Sequence, residues 1–416
     1  MRDIGRVIFL GSQQMPPLKP PPRPHAVCLG LALLVGMAAC GGGGGGGDTP
    51  VPAPAPVPVQ APPPPAPAGP ATVTAQAVRL DSPWGMAPLP DGSWLVTQRR
   101  GSLVRVAANL GSSQPVSGAP VVDSNGQGGL LDVALDPDFA TTGHIYLSYA
   151  EPGSGAEAGK AGTAVARARL VGTALQDVTV IFRQAPKVSG GGHYGSRLVF
   201  ARDKTLFITL GERQLGNPAQ DVAQTLGKVV RVNRDGSLPA DNPSFGAGAR
   251  PGLWSIGHRN PQGAALHPAS GDLWVSEHGS QGGDEINIAR AGANYGWPLV
   301  SYGCNYGDPV GTACAIGGGT HAPRYAEPLT TWVPTSVAPA GMAFYAGAMF
   351  PEWQGNLFVG ALAGQALWRL TLAGDTVASR EALFASQNER IRDVDVAPDG
   401  ALLLLTDSGK LLRVAR

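Results

Sequence analysis

From about residue 72 onward, one pattern of apolar and polar positions recurs along the chain. An apolar approach enters a tight turn of the Pro-Asp-Gly kind, then come a short strand, a polar break and a second strand. The instances are M-A-P-L-P-D-G-S-W-L-V-T-Q, V-A-L-D-P-D-F-A-T-T-G-H-I-Y-L-S-Y, L-V-F-A-R-D-K-T-L-F-I-T-L, A-L-H-P-A-S-G-D-L-W-V-S-E, F-P-E-W-Q-G-N-L-F-V-G-A and V-A-P-D-G-A-L-L-L-L-T-D, six in all. Their strands alternate or are apolar throughout, and no amphipathic helix separates them. A small sheet of this kind cannot bury both faces alone, so such units pack radially. The pattern predicts an all-β chain, a six-bladed β-propeller over residues 72–416. The segment T-V-T-A-Q-A-V-R-L is expected to pair with the C-terminal strands and close the ring. Uneven spacing predicts insertions around 150–195, 213–255 and 300–340, gathered on one face. A β-sandwich is the alternative, but six copies of one turn-strand phrase favour the propeller.

Composition changes the picture mainly at the N-terminus. Basic residues (Arg2, Arg6, Lys19, Arg23) precede the apolar run A-V-C-L-G-L-A-L-L-V-G-M-A-A, which ends at Cys40. That run is short for a membrane span and reads as an export signal over residues 1–39. The phrase M-A-A-C resembles a bacterial lipobox, with Cys40 the lipidated residue; Met15 offers a second start. Seven glycines and a Pro/Ala/Val tract follow, a tether over 40–71 with no capacity for a core. The expected location is the periplasm, with a lipid anchor as the sole membrane contact. Net charge is +1 for the whole chain. No bulk basic field recommends a nucleic-acid partner. Cys28 falls within the signal, which leaves Cys304 and Cys314 in a Gly-rich loop, where an oxidising compartment favours a local disulfide over two free thiols.

Chemistry concentrates between Trp254 and Pro298, in G-H-R-N-P, E-H-G-S-Q-G-G-D-E-I-N and N-Y-G-W-P. A turn that only reverses the chain needs none of these charged groups. Arg259 and Asn260 offer a planar fork and an amide for a carboxylate- or quinone-bearing ligand. The 277–287 run offers carbonyls and carboxylates of the kind calcium takes, although it is no EF-hand loop; ordinary surface pairing is the alternative. Upstream, His193 stands among glycines in S-G-G-G-H-Y-G-S-R, presented rather than packed, and can take a proton near neutrality. Gln127 lies in G-Q-G-G-L-L, where glycines permit close backbone approach to a ligand or simply form a turn. Arg390 and Arg392, two apart on an extended segment, share one face and suit a ligand with carboxylates. No H-E-x-x-H, G-x-S-x-G or dinucleotide-binding G-x-G-x-x-G occurs, so zinc-hydrolase, nucleophile-elbow and nicotinamide readings lack support.

Taken in order, G-Q-G-G-L-L, G-G-H-Y-G-S-R-L-V-F, L-G-K-V-V-R-V-N-R-D-G-S-L-P-A-D-N-P, G-H-R-N-P-Q-G, G-D-E-I-N, G-x-N-Y-G-W-P and R-I-R-D-V resemble the glucose/sorbosone dehydrogenase family, which includes soluble PQQ-dependent aldose sugar dehydrogenases. The likeness covers about 75–416 and implies the six-bladed propeller. It implies that His193 is the general base on the sugar's anomeric hydroxyl while hydride passes to PQQ, and that Arg259 stabilises charge on the quinone oxygen. Gln127, Asn260, Arg390 and Arg392 would hold PQQ, with Thr335 and Trp332 as further candidates. Carbonyls of Gly279 and Ser280 would bind the calcium that grips PQQ, and Glu285 and Tyr295 a second, structural calcium. Family members often carry a lysine in the phrase that reads G-A-L-A-G-Q here, so Ala363 stands where a cation is expected. An aldose substrate and an external electron acceptor are implied, since the chain has no C-x-x-C-H haem site. A calcium-dependent propeller lactonase and a non-enzymatic binding propeller are the rival readings.

Overall fold

The computed structural model describes residues 69–416; the expected signal, most of the expected tether and Cys40 lie outside the described residues. Six four-stranded antiparallel sheets make up the chain, with one two-stranded ribbon besides. The first strand of each sheet packs against the first strands of its two neighbours, which closes a ring of inner strands. These inner strands are Pro83–Pro88, Leu130–Leu135, Gly195–Phe200, Pro261–Leu266, Pro339–Phe344 and Ile391–Val396, defining blades 1 to 6. The second strands Leu206–Leu210, Leu273–Glu277, Leu357–Ala361 and Leu402–Thr406 are buried at every position, because adjacent blades cover both faces of each sheet. That double burial explains why these runs are apolar throughout rather than alternating. Each buried Leu, Ile, Val or Phe contributes about 1.5–3 kcal/mol.

The ring closes as the pattern predicts. Thr72–Arg79 forms the outermost strand of blade 6, with Thr72 opposite Ala415 and Val73 opposite Val414. The expected insertions fare unevenly. Residues 150–195 are mostly regular: Ala161–Val171 and Ala174–Arg183 are the long third and fourth strands of blade 2, and the loops are 153–160 and 184–194. Long side chains and frequent polar residues disguise this hairpin, whose outer strand is largely exposed. Loops do occupy 211–227 and 233–252. A true excursion runs from 289 to 329, between the third and fourth strands of blade 4, and carries the ribbon Ser301–Cys304 with Ala315–Ile316.

One side chain sits on the ring axis. Arg197, from the inner strand of blade 3, pairs with Asp132 of blade 2 (3.0 Å) and Asp393 of blade 6 (2.9 Å). Its Nε donates to the Gln262 carbonyl of blade 4 at 2.8 Å, and its guanidinium lies 4.3 Å from the Trp84 ring of blade 1. Blade 5 contributes space: a Cβ on Gly341 would stand 2.7 Å from Arg197 Nη2 and 1.9 Å from Asp393 Oδ1.

Candidate active site

Inner strands begin, and second strands end, at one mouth of the ring. The residue following a second strand therefore faces the loop preceding an inner strand. Arg99, His278, Leu362 and Asp407 directly follow second strands, and Glu212 follows at one residue's remove. Gln127, His193, Arg259, Asn260 and Arg390 precede inner strands. At this mouth lies a cavity of about 380 Å³, walled in part by Gln127, His278, Arg390 and Arg392. That volume is within the range of small-molecule sites.

His193 is 6% exposed and has φ 49°, a left-handed conformation that sends its ring away from the strand it precedes. Its backbone N–H donates to Gln127 Oε1 at 2.8 Å. Its Nδ1 lies 3.0 Å from Glu212 Oε2, and a carboxylate accepts there, so Nδ1 carries the proton and Nε2 is left basic. Glu212 is fixed in turn by the Trp297 indole N–H (3.2 Å) and the backbone N–H of Gln214. This is a base with its orienting carboxylate, the arrangement that proton abstraction requires.

Arg259 is oriented from three directions. Its backbone N–H donates to Glu277 Oε1, Nη1 donates to the His278 carbonyl (3.2 Å), and Nη2 to Tyr306 Oη (3.2 Å). The guanidinium carbon lies 5.1 Å from the Trp297 ring and 5.9 Å from that of Tyr306, while Nε is buried without a hydrogen-bond partner among the described residues. Asn260 Oδ1 accepts from Gly195 N–H at 3.2 Å, which turns its amide nitrogen toward His278 Nδ1 at 3.4 Å. His278 is driven down to about 3 by burial first and by Arg259 and Arg392 next, so its ring is neutral, and its Nε2 is buried without a hydrogen-bond partner among the described residues.

Arg390 and Arg392 share one carboxylate. Each places Nε 2.9 Å from an oxygen of Asp407, and Arg390 Nη1 also donates to the Leu362 carbonyl (3.1 Å), Arg392 Nη1 to Gln262 Oε1 (2.8 Å). Two cations against one anion leave this wall positive. Thr335 is exposed and does not border the cavity. Trp332 is buried in the outer strand of blade 4, 4.9 Å from the Arg380 guanidinium, away from the cavity walls. The phrase around Ala363 carries no lysine; the Arg390 guanidinium reaches the adjacent Leu362 carbonyl, and the Ala363 N–H donates to the Val337 carbonyl.

Next to the cavity, a small recess joins Arg259, Glu277, Gly279, Glu285, Tyr295 and His321. Glu285 is pushed up to about 8 by burial first and by Glu277 next, with only Asn287 Nδ2 (3.1 Å) as a hydrogen-bond donor and His321 Nε2 at 3.6 Å. Tyr295 is engaged inside the protein: its hydroxyl donates to the Ile288 carbonyl and accepts from Arg290 N–H, and its ring stacks on His258. Among the described residues, no three His, Cys, Asp or Glu side chains gather as a metal site. What fits a hard cation is the Glu285 carboxyl, which a bound cation would hold ionised, together with the Gly279 and Ser280 carbonyls, which accept no hydrogen bond from a described residue. Cys304 and Cys314 are joined sulfur to sulfur, with Cα atoms 5.1 Å apart, so Tyr306 sits on a closed loop.

The glycines of G-Q-G-G serve the chain rather than a ligand. A Cβ on Gly129 would stand 1.9 Å from the Arg99 carbonyl oxygen, and one on Gly126 2.5 Å from that of Gly191. They let blades 1 and 2 and the His193 loop close on each other.

The sequence matches the Glucose / Sorbosone dehydrogenase family over residues 80–413. The chain belongs to this family. It is 46% identical over 354 residues to Aldose sugar dehydrogenase YliI of Escherichia coli (strain K12), covering 83% of this chain and 94% of that protein. Quinoprotein glucose dehydrogenase B of Acinetobacter calcoaceticus is 31% identical over 405 residues, with 78% and 82% covered. The PQQ-bound aldose sugar dehydrogenase of Streptomyces coelicolor superposes with a TM-score of 0.68 at 29% identity, covering 84% of this chain and 99% of that one. Within this glucose/sorbosone dehydrogenase chain, sequence reasoning passed over Glu212, His278, Trp297, Arg99 and Asp407. The usable signal was positional: four of the five stand one or two residues past the end of a second strand.

Proposed function

We propose that this chain is a sugar dehydrogenase that oxidises the anomeric hydroxyl of aldoses to lactones, with PQQ in the central cavity and calcium on the 279–280 turn. The observation that carries the reading is the His193–Glu212 pair, joined to the Arg259 fork through Trp297, with Gln127 and His278 linking both to a cationic cavity. When bound, PQQ supplies a two-electron quinone that accepts hydride from the sugar. His193 Nε2 takes the proton of the anomeric hydroxyl, and Glu212 stabilises the imidazolium that results. Arg259, fixed by Glu277, the His278 carbonyl and Tyr306, offsets negative charge developing on the acceptor oxygen. Arg390 and Arg392 hold carboxylates on the cofactor, Asn260 and Gln127 present amides to it, and Gly279 and Ser280 offer carbonyls to calcium. Glu285 is the carboxylate for a second, structural calcium. Electrons leave to an external acceptor. Export and anchoring through Cys40 belong to the same proposal and rest on the N-terminal sequence; globomycin-sensitive processing tests them.

The decisive experiment reconstitutes purified apo protein with PQQ and calcium and follows dye reduction across a panel of aldoses. Turnover that needs both additions, lost in His193→Ala while PQQ still binds, supports the reading. No sugar-dependent reduction, or lactone hydrolysis with calcium alone, refutes it.

A further inference from the structure

We infer that Arg99 is a ligand-binding residue, a third guanidinium that grips an anionic group of the molecule held in the central cavity. Arg99 directly follows the second strand of blade 1, Trp94–Gln98, and its side chain forms part of the cavity wall. Its backbone is locked in place from the neighbouring blade. Leu130 N–H donates to the Arg99 carbonyl at 3.1 Å, and the absence of a side chain at Gly129 (φ 128°) is what admits that carbonyl. Position 99 is therefore not a loose loop site; a glycine, in a conformation that residues with a side chain rarely adopt, holds it there.

The side chain makes one internal hydrogen bond, from Nη1 to the Gly126 carbonyl at 3.0 Å. That bond aims the fork next to Gln127, and its other donors meet no acceptor among the described residues. No described carboxylate pairs with it, whereas its neighbour Arg100 lies 3.5 Å from Asp81. The charge count of the cavity makes the point sharper. Arg99, Arg390 and Arg392 line it against a single carboxylate, Asp407, which Arg390 and Arg392 already share. The Arg99 charge also bears on Arg392, whose guanidinium it destabilises. Three like charges gathered in one cavity are unfavourable until an anion enters.

The ligand class that follows is a planar polyanion with carboxylates far enough apart to meet blade 1 and blade 6 together. A planar fork suits a carboxylate better than an ammonium does. Naming that ligand as PQQ rests on the proposed function.

The test titrates PQQ into calcium-loaded apo protein and follows quenching of tryptophan fluorescence. Arg99→Gln should raise the Kd for PQQ about tenfold, and Arg99→Lys, which keeps the charge, by about threefold or less. Arg390→Gln serves as the reference, and Arg99→Met, which keeps the aliphatic stem, stands in if the Gln variant does not fold. Wild-type affinity in Arg99→Gln or Arg99→Met, alongside weakened binding in Arg390→Gln, overturns this inference and leaves the proposed function standing. A lowered melting temperature with unchanged Kd overturns it too, since that is the mark of a purely structural arginine. Failure of the wild-type protein to bind PQQ at all removes both.

Discussion

Replacing Glu212 by Gln probes how the base is set. The change keeps length and volume and removes a negative charge 3.0 Å from His193 Nδ1. Oxygen Oε2 accepts from His193 Nδ1 and Gln214 N–H, and Oε1 from Trp297 Nε1. A glutamine has one oxygen for these three donors. With its amide nitrogen toward His193 it faces the Gln214 N–H donor and forces the imidazole proton onto Nε2, the atom that must be basic. With the nitrogen toward Trp297 it opposes an indole N–H. Either way a hydrogen bond to a charged group is lost, worth about 1.5–3 kcal/mol. If that stabilisation acts in the transition state, kcat falls roughly 10- to 150-fold. The assay is steady-state dye reduction on PQQ-saturated protein, with PQQ affinity measured separately by titration. The expected result is this loss in kcat with sugar KM and PQQ affinity changed by less than about twofold. Wild-type kcat in Glu212→Gln refutes the tautomer argument outright.

Other consequences are open to simple measurements. Glu285 has a folded-state pKa of about 8 against an ordinary 4.5, so the calcium-free fold is most stable below the unfolded value and loses stability as pH rises through that window. Its melting temperature should fall across that range, Glu285→Gln should flatten the fall, and calcium should restore wild type only; a flat wild-type profile contradicts this. Tyr306→Phe removes the acceptor of Arg259 Nη2, and kcat should drop by roughly five- to tenfold. Cys304→Ser/Cys314→Ser should act through the same contact, so combining the changes adds little, and additive losses would disprove the link. Deleting residues 72–79 strips the closing strand from Lys410–Ala415 and should lower the unfolding midpoint by roughly 10 °C or more; an unchanged midpoint means the ring holds without it.

The fold was legible because its period is written in local chemistry. Turn residues and buried second strands repeat, and the closing segment Thr72–Arg79 declares itself by lying outside the six units. Residues 150–195 were misjudged as an insertion because strands on a blade's outer edge bury little, and so leave no apolar signature. For the site, His193 and Arg259 stood out because charged groups among glycines are costly decorations for a turn. Glu212 and Asp407 did not, since one acid after an apolar strand resembles any surface residue. Only the register of the sheets reveals that this position meets the mouth of the ring. The roles of the glycines were legible only in part: Gly129 does answer a close approach, but to the Arg99 carbonyl rather than to a ligand.

Arg197 has a consequence for how the molecule comes apart. Repeat arrays whose units touch only their neighbours can fray from an end, one unit at a time. Here a single guanidinium on the axis meets side chains or carbonyls from four other blades, and the remaining blade leaves a glycine so that it fits. Loss of blade 2, 4 or 6 takes a polar partner from that buried charge. The chain is thus modular in its sequence and indivisible in its thermodynamics: half-propellers should not fold alone, and denaturation should be one concerted event rather than a series.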